Sequence, residues 1–148
     1  MNIDLSHARQ QFESYLDQYD RTDDKVRLKI IHTYGVMECS RRICERMHLS
    51  EEDTILAQLI GLLHDIGRFE QLKKYNSFEP DTMDHAAFGV QILFEEGRIR
   101  DYVAETDWDS IIRTAIARHS DFKLEGVTDE RKLLHAKLIR DADKLDNC

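Results

Sequence analysis

Residues 55–69 read ILAQLIGLLHDIGRF, and Gln58 is the only uncharged polar side chain in the run before His64. A helix of this composition is apolar nearly all round, so it belongs at the centre of a helical bundle rather than on its surface. Upstream, Ser50 followed by Asp53 has the form of a capping box and sets the helix start just ahead of the run. At its far end the same helix carries His64 and Asp65 into the interior. A buried carboxylate is costly unless a cation or hydrogen bonds receive it, so something positive is expected beside Asp65.

Working outward, apolar residues recur at three- and four-residue spacing with no strand-type alternation, and the chain has one proline and six glycines, which together read as all-α. One helix is expected near 4–20 and a second near 24–48. The second is apolar on two sides, with Val26, Ile30, Tyr34, Met37 and Cys44 on one stripe and Leu28, His32, Val36, Cys39 and Ile43 on the other. Residues 71–82 (LKKYNSFEPDTM) hold the proline and several turn formers and read as a surface loop. Asp81, Thr82 or Asp84 would cap a helix near 83–96 that puts His85 in its first turn and ends at Gly97. A helix near 107–119 aligns Ile112, Ala115, Ile116 and His119. The last begins near Thr128 with Leu134, Leu138 and Leu145 as its apolar positions. The whole of 1–148 reads as one domain. Its closing helix looks unfinished at Cys148, which leaves open a C-terminal truncation.

Composition narrows the function classes. A chain of 148 residues with 41% hydrophobic and 34% charged residues is long enough to bury a core without disulfides or a structural metal, so any metal needs a functional reason. The net charge of −8 opposes a nonspecific grip on double-stranded nucleic acid or an anionic membrane. The first twenty residues, MNIDLSHARQQFESYLDQYD, lack the apolar run of a signal peptide. Cys39 and Cys44 point about 140° apart on a helix, which suits core residues better than a zinc knuckle. With Cys148 as a free thiol, a cytoplasmic location is expected.

Histidine carries the chemistry. Of seven, His7, His48 and His135 sit among charges and read as solvated, while His32, His64, His85 and His119 lie on apolar faces or at helix ends. A lone histidine on such a face is ordinarily a core residue bonded to a carbonyl. Four of them together with Asp65 suggest a divalent cation drawn from several helices.

The order of a helical His32, the pair His64-Asp65 and a late Asp in RDADKLDN (140–147), in the contexts HTYGV, GLLHDIGR and DADKLD, resembles the HD-domain superfamily of metal-dependent phosphohydrolases. The resemblance spans roughly residues 28–146. It implies a compact multi-helix bundle with a metal site between helices, in which His32, His64 and Asp65 are ligands. Spacing alone leaves Asp141 and Asp143 open as the last ligand. The family pattern, an Asp directly before a basic residue, implies Asp143, with Asp141 as a supporting or capping carboxylate. His85 in MDHAAFG and His119 in ARHSD fall where some members hold a second metal, so the resemblance implies two divalent ions (Mn, Fe, Co, Ni, Zn or Mg) bridged by Asp65. Such a pair activates a water for attack on a phosphoester. Asp65, Arg68 and Lys144 are then the side chains expected at the reacting phosphoryl group, with Lys73 or Lys74 near the loop.

The implied activity is hydrolysis of a nucleotide or another small phosphorylated metabolite. Two branches of the superfamily match poorly: Arg118-His119-Ser120 stands where the cyclic-dinucleotide branch has a His-His pair, and Ile66-Gly67-Arg68 where the alarmone branch has acidic residues. Two other readings keep the same ligands: a di-iron oxygenase of this fold, and a metal-stabilised module that binds phosphorylated ligands without turnover.

Overall fold

The computed structural model describes residues 3–147, and these are all-α. Helix α1 (Leu5–Leu16) is capped by Asp4, whose side chain accepts from the His7 amide. Helix α2 (Asp24–Arg46) starts at Asp23, which accepts from the amides of Lys25 and Val26. Helix α3 (Glu51–Leu63) starts at Ser50, whose hydroxyl accepts from the Asp53 amide as the capping-box reading requires. Its Leu56, Leu59, Leu62 and Leu63 are fully enclosed, so the apolar run is indeed the central helix. Helices α2 and α3 pack extensively on each other, the last helix of the chain covers α2, and Phe12 of α1 closes the core edge-on against Tyr34 and Phe69 at 5.9 Å each.

The run 55–69 is not one helix. It breaks after Leu63 and resumes as α4 (Ile66–Tyr75), with Asp65 at φ −109°, ψ 19° between them. The break lets the chain leave in a new direction while His64 and Asp65 turn toward each other, with His64 Nε2 3.4 Å from Asp65 Oδ2. Helix α4 then runs past the expected loop start at residue 71 to Tyr75 and is ended by Asn76 in the left-handed conformation, φ 48°. The loop is therefore shorter than expected.

Asp84, one of the three candidate caps, starts α5 (His85–Val90) by accepting from the Ala87 amide. The helix continues through a π turn, Gln91–Glu95, to Gly97 at φ 77°. A short α6 (Ile99–Tyr102), which periodicity did not suggest, precedes α7 (Asp109–Arg118) and α8 (Glu130–Asp146). Gly67 lets α4 and α5 touch: a Cβ there would stand 2.9 Å from the Gly89 amide nitrogen and run into the His85 carbonyl. That contact brings the start of α5 beside Asp65.

Three readings of faces change. Leu28 is 61% exposed and Leu145 is 55% exposed, so neither belongs to a core stripe. On α8 the buried side is His135, Ala136, Leu138, Ile139 and Ala142, so His135 is a core residue rather than a solvated one. Its Nε2 lies 2.8 Å from Asp53 Oδ1, which supplies the polar partner that makes burial tolerable. Cys39 is half-buried and Cys44 buried, both as free thiols, and Cys148 lies outside the described residues. Among the described residues no helix is long and apolar enough to cross a membrane.

Candidate metal centre

The cluster is assembled around one carboxylate. Asp65 is 4% exposed, and its two oxygens face different sets of side chains. Oδ2 lies 3.4 Å from His64 Nε2 and 3.6 Å from His32 Nε2, while Asp143 Oδ1 stands 2.7 Å from His32 Nε2 and 3.6 Å from His64 Nε2. Oδ1 lies 3.4 Å from His85 Nε2 and 3.3 Å from His119 Nε2. The structure thus brings all six residues together as two groups that share Asp65: His32, His64, Asp65 and Asp143, and Asp65, His85 and His119. Asp141 points to solvent on α8, outside both groups.

Backbone carbonyls determine which nitrogen of each imidazole faces inward. His64 Nδ1 donates to Gly61 O at 2.7 Å and His119 Nδ1 donates to Ile116 O at 2.7 Å. Each ring therefore turns an Nε2 lone pair toward the centre. His85 Nε2, 3.0 Å from His119 Nε2, donates to that lone pair. His64 Nε2 is buried with no hydrogen-bond partner at all. Lone pairs and carboxylates converging in this way leave a cation-shaped demand, and imidazole with carboxylate is a donor set suited to divalent transition metals. The residues present fit a metal centre.

Electrostatics show the same demand. Burial disfavours charge on His64, yet the Asp65 and Asp143 carboxylates push its pKa up to about 10, which shows how strongly they favour a positive charge at this point. Burial also opposes charge on Asp65, but the imidazoles gathered around it, His64 foremost and then His119 and His85, hold its carboxyl well below the usual range. Burial keeps His85 below the ordinary imidazole value, and Arg68 nearby adds to this.

Two residues that the sequence reading passed over belong here. Lys29, one turn before His32 on α2, places Nζ 3.0 Å from Asp65 Oδ2 and is the positive partner that the buried carboxylate required. Asp146, one turn after Asp143, places Oδ2 2.6 Å from His32 Nδ1. Spacing of i, i+3 from a recognised residue was the available signal in both cases.

Arg68 is held by its own helix and by the loop after it: Nη1 donates to Gln71 Oε1 at 2.9 Å and Phe78 O at 3.0 Å, while its Nε is buried without a partner. Lys29 and Arg68 both lie against the Phe78 ring, 5.1 and 5.4 Å from its centroid. Lys73 and Lys74 turn away, toward the Tyr19 ring and Glu70. Lys144 is exposed beside Asp143.

With this geometry in hand, comparison with known proteins gives one match: the family model described as HD domain covers residues 30–148. No curated protein and no solved structure matches the chain.

Proposed function

Because this chain belongs to the HD-domain family of metal-dependent phosphohydrolases, we propose that it hydrolyses a phosphoester of a nucleotide or another small phosphorylated metabolite. The observation that carries this reading is the shared carboxylate: each oxygen of Asp65 faces its own set of imidazole nitrogens. His32, His64, Asp65 and Asp143 would hold one divalent ion, and Asp65, His85 and His119 a second. Ions bound there supply a Lewis acid and a water that is acidic enough to attack at neutral pH.

The chain's own groups do the rest. His64 and His119, with their Nδ1 protons committed to carbonyls, keep their lone pairs inward without reorganising. Lys29 and Arg68 flank the cluster from α2 and α4, both steadied on Phe78, and offer positive charge to phosphoryl oxygens. Lys144 would add a third cation from the α8 edge. The free thiols Cys39 and Cys44 fit a reducing compartment such as the cytoplasm.

The test is release of phosphate, or of a nucleoside monophosphate, from nucleotides, dinucleotides and sugar phosphates, with Mn, Co, Ni, Fe, Zn and Mg supplied separately under anaerobic conditions. Turnover without oxygen supports hydrolysis. Turnover that requires iron and consumes oxygen overturns it in favour of oxygenase chemistry, and tight ligand binding without turnover overturns it in favour of a binding module.

A further inference from the structure

His32 is gripped at both ring nitrogens by one face of α8. Asp143 and Asp146 are three residues apart on that helix, and their carboxylates meet Nε2 at 2.7 Å and Nδ1 at 2.6 Å. The two contacts are not equivalent. Nε2 faces Asp65 and Asp143, inside the cluster, whereas Asp146 lies behind the ring. A carboxylate can only accept, so Asp146 holds a proton on Nδ1, and Nε2, which shares a proton with Asp143 while no cation is bound, is the nitrogen left to exchange that proton for a metal.

The inward-facing Nε2 atoms of His64 and His119 are set by backbone carbonyls of their own helices, Gly61 for His64 and Ile116 for His119. His32 sits in the middle of α2, where the backbone carbonyls are committed to helical bonds, so its orienting group must come from another element. The chain makes room for that group. Gly35 is one turn after His32, and a Cβ on it would stand 2.6 Å from the Asp146 Cγ, inside the carboxylate. A glycine in the interior of a helix is less favourable there than alanine, and here the missing methyl is the space that Asp146 fills.

We propose that Asp146 is a positioning residue, which fixes the tautomer and ring orientation of His32 for metal binding through a cleft kept open by Gly35. The proposal rests on the metal-centre reading above but not on phosphoester hydrolysis. Partners of this kind commonly alter metal affinity by about 10–100-fold when removed.

The experiment compares wild type with Asp146→Ala, Asp146→Asn and Gly35→Ala. Metal-free protein is examined by nitrogen-15 NMR of the imidazoles, and Co or Mn affinity is measured by competition with a chelator. In wild type His32 should show a protonated Nδ1. Asp146→Ala should lose that signature and bind metal about 10–100-fold more weakly, while circular dichroism stays helical. Asp146→Asn, whose amide oxygen still accepts from Nδ1, should recover most of both. Gly35→Ala should reproduce the loss without removing any polar group. Unchanged tautomer and unchanged affinity in Asp146→Ala would overturn the proposal, and so would failure of the Asn variant to recover either. Absence of phosphatase turnover with these results intact would count against the hydrolytic reading alone.

Discussion

Replacing Asp65 by alanine separates two effects that the structure predicts with different sizes. In metal-free protein the change strands Lys29, whose side chain is 15% exposed and ion-paired to Asp65 at 3.0 Å. Breaking a buried pair by removing one partner costs about 3–5 kcal/mol, and because Lys29 can swing toward solvent the lower end applies. For a domain of this size about 3 kcal/mol lowers the melting temperature by roughly 12 °C. The second effect appears only on adding metal. A cation at a hundredfold excess over its Kd stabilises wild type by about 2.7 kcal/mol, or roughly 11 °C. The variant has lost the one residue common to both ligand groups and should gain almost nothing. The assay is a pair of thermal melts by circular dichroism for each protein, one in chelator and one in saturating Mn or Co. A variant that melts lower but rises with metal as far as wild type does would refute the reasoning, because Asp65 would then be a structural anion and not a ligand.

Asp143→Asn should remove metal and turnover, whereas Asp141→Asn, on the solvent side of α8, should change both by less than twofold in metal titration and phosphate release. The paired His85→Ala, His119→Ala variant should fall from about two ions per chain to about one by elemental analysis; a wild-type value near one, unchanged in the variant, would defeat the two-metal arrangement. His135→Gln addresses acid sensitivity. Burial lowers the His135 pKa, so the unfolded chain takes up a proton near pH 6.5 that the folded protein refuses. Its contribution to stability is complete above that pH and is lost as pH falls through the lower folded value. Urea midpoints at pH 7.5 and 5 should therefore differ less in the variant than in wild type.

How much of this was legible depended on whether the signal was local. The central helix was, because 55–63 is apolar nearly all round. The break at His64-Asp65 was not, since hydrophobic residues continue through Ile66 and Phe69 and periodicity registers burial, not a change of axis. The π turn at Gln91–Glu95 has no compositional mark either. Asp143 was separable from Asp141 only through the family pattern, and the structure shows why: two residues apart on a helix, they point to opposite sides. His135 could have been found from its phase with Leu138, Ile139 and Ala142, but Arg131 and Lys132 nearby made the segment look solvated. Lys29 and Asp146 read as ordinary surface charges because their roles exist only across helices.

The cluster draws its side chains from α2, the α3–α4 junction, α5, α7 and α8, and takes none from α1 or α6. That distribution bears on amide hydrogen exchange. Any partial opening that frees one contributing helix also dismantles the cluster, so cation loading should raise protection on all five stretches by a common increment, merging them into one cooperative unit. Helix α1, packed on α3 and α6, lies outside that unit and can fray on its own schedule. Two rates of exchange in the loaded protein, one for α1 and one for the five contributing stretches, would be the dynamic imprint of where along the chain the six residues were placed.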